Sequence, residues 1–149
     1  MALQTEITAA LKTAMKEKNT VALEALRAIK AALLLAQTES SNKEVSEADV
    51  LKILQKLVKQ RKDSAALYKE QNREDLAEPE LAQAEVIAQF LPKPLTDAEI
   101  TLEITAILTE TGATSMKDMG RVMGMANQRM AGKADGKAIA AQVKDALSK

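Results

Sequence analysis

The sequence predicts an all-α protein, and three observations carry that prediction. Aromatic residues are reduced to Tyr68 and Phe90, whereas strands usually present β-branched and aromatic side chains. The chain is rich in Ala, Leu, Lys, Glu and Gln, all good helix formers, and holds only five Gly and three Pro. Its apolar residues recur at helical spacing along most of the 149 positions. That length suits one domain or two small ones and can bury a core without disulfide or metal staples.

The elements follow in order. Leu3, Ile7, Leu11 and Met15 recur every four residues and predict a first amphipathic helix. Asn19-Thr20 caps a second, whose face carries Leu23, Leu26, Ile29 and Leu33 and which fades in the polar run Glu39-Ser40-Ser41-Asn42-Lys43. Ser46 followed by Asp49 starts a long third helix with Val50, Leu51, Leu54, Leu57, Val58, Ala65 and Tyr68 on its apolar side. A fourth is expected to begin near Glu78-Pro79, since proline suits a first helical turn, and to bury Leu81, Ala84, Ile87, Ala88 and Leu91.

Leu91-Pro92-Lys93-Pro94-Leu95 cannot be helix interior, because two prolines remove donors and push their predecessors to extended geometry. The expected organisation is therefore an N-terminal helical lobe over 1–91, a stiff linker over 92–95 and a C-terminal three-helix lobe over 96–149. In that second lobe Thr96 and Glu99 form a capping box, Ile100, Ile104, Ile107 and Leu108 make a face, and Gly112 closes the helix. Ser115 with Asp118 is expected to cap a sixth helix bearing Met116, Met119, Met123 and Met130, which Gly132 ends. Asp135 caps a last helix with Ile139, Val143 and Leu147. Helices this short must pack on one another to persist in water.

The absent residues narrow the chemistry. There is no Cys, His or Trp. Disulfides, thiolate nucleophiles, imidazole catalysis and Cys- or His-ligated metal sites are excluded. The 21 basic residues equal the 21 acidic ones, so no global field draws the chain to nucleic acid or to a membrane, and any such contact must use a local patch. No run approaches the ~18 apolar residues of a membrane span, and Met-Ala-Leu-Gln-Thr-Glu does not read as a signal peptide. The expected location is the cytoplasm, and no cofactor or metal is expected.

Charge is nonetheless unevenly spread. Ser115 to Lys149 holds seven basic against three acidic residues, whereas the helix before it carries Asp97, Glu99, Glu103 and Glu110 and no base. Lys133 and Lys137 flank the start of the last helix, where free N–H groups favour anions and Gly136 permits close approach. Gly132 to Lys137 is not a nucleotide-binding loop, because it lacks the glycine spacing and the hydroxyl residue after lysine. The candidate RNA-binding residues are Lys117, Arg121, Arg129, Lys133, Gly136 and Lys137, and no catalytic residue is assigned. A second basic run, Lys52, Lys56, Lys59, Arg61 and Lys62, is expected to pair with the acidic stretch Glu70, Glu74, Asp75, Glu78, Glu80 and Glu85 across a helix hairpin. Gly120 and Gly124 suggest a close helix crossing.

Gln60-Arg61-Lys62-Asp63-Ser64, Tyr68, Arg73-Glu74-Asp75-Leu76-Ala77, Phe90-Leu91-Pro92, the stretch Thr111 to Met123, and Lys133-Ala134-Asp135-Gly136-Lys137 together resemble the YqeY (GatB/YqeY) family. The resemblance runs over nearly the whole chain. Pro94 departs from it, standing where relatives often carry a polar residue, and stiffens the linker. The family implies an all-helical, two-lobed protein. Its C-terminal lobe is similar to the tail domain of the B subunit of the glutamine-dependent aminoacyl-tRNA amidotransferase, a part thought to touch tRNA while chemistry happens elsewhere.

The resemblance also implies a carbon–nitrogen ligase activity with glutamine as amido-N-donor. Glutamine hydrolysis in that system needs a Ser-Ser-Lys site in a Gly/Ser-rich stretch, and Ser40-Ser41 with Lys43 has no such context. The transfer step needs ATP and metal ligands, for which the sequence offers no set. The expectation is a non-catalytic helical module that binds tRNA or another structured RNA. The alternative is an adaptor for an amidotransferase or tRNA-synthetase protein partner. With almost no aromatics, phosphate and shape contacts suit it better than base stacking.

Overall fold

The computed structural model describes residues 2–39 and 45–148. Among them lie seven α-helices and no strand: α1 (Ala2–Glu17), α2 (Thr20–Glu39), α3 (Glu47–Glu70), α4 (Glu74–Ala88), α5 (Asp97–Thr111), α6 (Met119–Arg129) and α7 (Gly136–Leu147). A 3-10 turn, Met116–Asp118, leads into α6. Ser40, Ser41, Asn42 and Lys43, where the sequence predicts α2 to fade, fall outside the described residues. The chain divides into two compact units, Met1–Leu91 and Pro92–Lys149, each with its own apolar core.

In the first unit α3 and α4 form the most extensive pair, α2 lies on α4, and α1 packs on α2. Ile7, Leu26, Ile29, Val50, Leu54 and Ile87 meet in the core, each almost fully buried. A buried side chain of this size contributes about 1.5–3 kcal/mol relative to exposure. Met15 departs from its predicted stripe: it is 52% exposed, and Ala14 at 4% takes the core position. Four-residue steps overshoot a 3.6-residue turn by about 40° each, so the third step has rotated off the core. Ala88, also expected inside, is exposed on α4, and Ala77 is buried instead.

The helix ends in this unit use two copies of one device. After α1, Asn19 N–H donates to Ala14 O (3.0 Å) and Lys18 N–H to Met15 O (3.3 Å). After α3, Arg73 N–H donates to Tyr68 O (2.8 Å) and Asn72 N–H to Lys69 O (3.0 Å). Both are Schellman closures, with Lys18 (φ 57°) and Asn72 (φ 60°) in the left-handed region usually given to glycine. Asn19 then also caps α2, its Oδ1 accepting from Ala22 N–H at 3.1 Å. At α3 the Ser46–Asp49 pair forms a reciprocal capping box.

Because the α3 closure consumes only Gln71 and Asn72, α4 begins at Glu74, four residues before the predicted Glu78-Pro79 start. Pro79 sits inside α4. Its missing N–H leaves the Asp75 carbonyl, in the first turn, without an intrahelical donor. Glu74 and Asp75 in that turn complement the helix dipole. Arg73 donates to both oxygens of Asp75 at 3.0 Å, which holds that carboxyl below its ordinary pKa.

The second unit packs α5, α6 and α7 around Ile100, Ile104, Ile107, Val122, Met130, Ile139 and Val143. Leu95 packs against this core, and its N–H donates to Lys133 O at 2.8 Å. Thr96 and Glu99 form a complete capping box, with both bonds at 3.2 Å, and Gly112 (φ 68°) ends α5 in the left-handed region. Ser115 does not cap through its side chain. The carboxylate of Asp118 reaches back to Thr114 N–H instead (3.3 Å), and the chain enters α6 through the 3-10 turn. Asp135 caps α7.

Two outcomes follow. Lys18→Gly removes the steric cost of a left-handed residue at the α1–α2 junction and should stabilise the protein by about 0.5–1 kcal/mol in urea unfolding. The Glu99 carboxyl is held below its ordinary pKa, first by the Thr96 N–H it accepts. Its contribution is therefore complete above the ordinary glutamate value and lost as pH falls through the depressed one. Acid titration of Glu99→Gln, followed by circular dichroism, should show a smaller stability loss in that window than the parent chain shows.

Candidate nucleic-acid interface

The candidate residues sit along α6 and its two flanks. Lys117 lies in the 3-10 turn, Arg121 in the first turn of α6, Arg129 in its last, Lys133 in the following loop, and Gly136 and Lys137 at the start of α7. The eleven residues of α6 span about 16 Å. Chain continuity thus gathers Arg129, Lys133, Gly136 and Lys137 at one end and Lys117 with Arg121 at the other. These two groups are too far apart to grip one phosphate.

The arginines are engaged within the unit. Arg129 bonds to Glu110 and lies 3.9 Å from Glu103, both on α5. That contact holds the Glu110 carboxyl below its ordinary pKa and raises the guanidinium's. Arg121 reaches Asp118 (3.4 Å) and the Thr111 carbonyl (3.3 Å), one of the last carbonyls of α5. Packing the acidic α5 against α6 therefore offsets part of the positive charge that the linear count suggested. Lys117, Lys133 and Lys137 are exposed and form no ion pair among the described residues.

The start of α7 is already supplied with an anion. Asp135 Oδ1 accepts from Lys137 N–H at 3.4 Å, a long bond that leaves the other first-turn N–H groups open. α6 ends at Arg129 with Met130 as its C-cap, so the left-handed Gly132 (φ 76°) lies in the turn beyond the helix and does not close it as the sequence suggested.

Gly120 and Gly124 are not at a helix crossing. Both are exposed, and a side-chain carbon added at either would meet nothing within 4 Å. The reason is the helix period: Val122, Ala126 and Met130 face the core, which turns the two glycines about 160° away from Val122 toward solvent. Arg121, Asn127 and Gln128 border them, also exposed. The small-residue spacing was visible in the sequence; which side it faced depended on the packing of α6.

Among the described residues Lys52 and Lys56 form no ion pair with the acids of α4, and Lys59 pairs with Asp63 of its own helix. Lys52, Lys56 and Lys59 stand about 140–160° around α3 from buried Leu54 and face solvent. Arg61 instead bonds Gln83 of α4 (3.1 Å), which bonds Glu24 of α2 (2.9 Å). No polar or charged residue is buried and no group of His, Cys, Asp or Glu could hold a metal among the described residues. No described helix is long and apolar enough to cross a membrane.

With this all-helical architecture in place, comparison with known proteins defines the class. The chain belongs to the family described as Yqey-like protein, which matches residues 4–147. It is 34% identical over 114 residues to Altered inheritance of mitochondria protein 41, mitochondrial, of Clavispora lusitaniae, a match covering 75% of this chain and 66% of that protein. The protein of that name from Meyerozyma guilliermondii is 40% identical over 81 residues, covering 54% of this chain and 42% of its own length. An uncharacterized protein of Schizosaccharomyces pombe is 35% identical over 65 residues, 41% of this chain and 53% of that protein. The chain thus spans about two fifths to two thirds of the length of these curated relatives.

Gly124 lies in a helix interior with open space around it. Gly124→Ala should raise stability by about 1 kcal/mol, read as an upward shift of the thermal midpoint; a fall would mean that this face is occupied within the fold.

Proposed function

We propose that this chain is a non-catalytic helical module that binds tRNA or another structured RNA through its C-terminal unit. The observation that carries the reading is the exposed face of α6. Two side-chain-free positions, Gly120 and Gly124, leave the helix backbone open to close approach, with uncompensated lysines beyond either end. A helix forfeits stability by keeping an interior glycine on a solvent face, and close approach by an outside polymer offers a reason to keep it. Cations separated by about 16 Å suit phosphates spaced along a folded polyanion better than one small anion.

Lys117, Lys133 and Lys137 are the primary phosphate contacts in this reading. Arg121 and Arg129 contribute by orienting the face while they bond to α5. Gly136 and the open N–H groups of α7 supply a further anion contact. The likeness to the amidotransferase B-subunit tail, read from the sequence motifs, favours tRNA among structured RNAs. A carbon–nitrogen ligase activity of the chain alone is not part of the proposal. The proposed compartment is the cytoplasm, although the relatives' names carry the word mitochondrial.

A second reading, an adaptor for a protein of the tRNA-aminoacylation or amidotransferase machinery, draws on the first unit. Between α1 and α2 lies an open groove of about 410 Å³ lined by Ile7, Ala31, Leu33, Leu34 and neighbouring polar residues. Leu34 and Leu35 are 63% and 60% exposed. An apolar groove would hold its partner at high salt, whereas phosphate contacts weaken steeply.

The deciding experiment titrates the chain with bulk tRNA at low and moderate salt. Lys133→Ala with Lys137→Ala should reduce affinity about tenfold or more at low salt and lower the salt slope by about two. Gly124→Leu, which has room to fold, should weaken binding by obstructing the α6 face. Unchanged affinity in folded double variants would remove this site.

A further inference from the structure

We infer that the outer face of α3 is a second phosphate-binding surface, which takes the backbone of the same folded RNA on the N-terminal unit. This inference rests on the RNA reading of the chain. Lys52, Lys56 and Lys59 project from one side of α3, all exposed, over seven residues or about 10 Å of axis. Between Val50 and Lys62 there is no acidic residue. The acids of α4 do not neutralise this face, because α4 packs on the other side of α3, where Arg61 donates to Gln83 of α4.

Lys52 and Lys56 form no ion pair among the described residues. Lys59 meets Asp63 one turn along at 3.0 Å, with both side chains at least half exposed. A pair so exposed to water exchanges readily for a phosphate. Arg61 does not belong to the surface: it is turned inward to Gln83 and the Leu57 carbonyl.

The chemistry of the face selects the partner. Protein interfaces are depleted in lysine and anchored by aromatic or large apolar groups. None interrupts these three lysines, and exposed Leu67 stands about 12 Å farther along the helix. A membrane surface would also need an apolar stripe to insert. Phosphate backbones need neither, and compact ammonium groups at successive helical turns can neutralise successive phosphates.

The test measures bulk tRNA affinity of the whole chain across a salt series. Replacing Lys52, Lys56 and Lys59 together by Ala should weaken binding about tenfold or more at low salt and flatten the log–log salt slope by about two to three. Replacing all three by Arg should keep the slope. An Ala variant with parental helicity and unchanged slope and affinity, while Lys133→Ala with Lys137→Ala loses affinity, overturns this inference alone. Absence of any tRNA binding by the parent chain at low salt overturns the RNA reading and this inference with it.

Discussion

The helices of this protein meet through aliphatic side chains, and no polar or charged residue is buried among those described. That constraint governs the rest. With one Tyr, one Phe and no Trp, the cores are built from Ile, Leu, Val, Met and Ala at helical spacing. Such residues bury area without requiring internal hydrogen bonds, so each core tolerates no polar group. All ionisable chemistry is displaced to the surface. There, hydrogen bonds are the leading cause that lowers the carboxyls of Asp75, Glu99 and Glu110.

Polar side chains then take up a different task, ending helices and joining them. The capping boxes at Ser46 and Thr96, the Asn19 cap and the Asp135 cap satisfy N–H groups that the short helices leave unpaired. Left-handed residues close the C-terminal ends at Lys18, Asn72 and Gly112. In the second unit Gln142 ties α7 to α5 by accepting from Thr101 and donating to the Asp97 carbonyl. These bonds set where each helix stops, and hence where the basic loops between them begin.

Electrostatics divides the lysines from the arginines. Arg121 and Arg129 of α6 turn to α5, and Arg61 of α3 turns to α4. The rigid, many-donor guanidinium makes such cross-helix links well. Lysines at 52, 56, 117, 133 and 137 stay in solvent. The exposed positive charge on the outer face of α3 and beyond the ends of α6 is therefore carried mostly by lysine.

Much of the architecture was legible in sequence because it is local. Helical periodicity, the Ser46 and Thr96 capping boxes, the Gly112 terminus and the Asp135 cap are decided by residues within one or two turns, and each appears where it was expected. Family membership was legible from motifs scattered along the chain, whose order survives without knowledge of packing. The misplacements mark where distant contacts decide. Met15 lost its core position to Ala14 because the buried stripe follows the true helix period. The α4 start moved to Glu74 because the Schellman closure of α3 needed only two residues. Above all, charge pairing and small-residue spacing have no direction in a sequence. Only the packing of α5 on α6 and α4 on α3 determined that Arg129 is engaged, that the α3 lysines face outward, and that Gly120 and Gly124 open to solvent. A side chain's partner depends on which face of its helix the core claims, and that is a property of all the helices together.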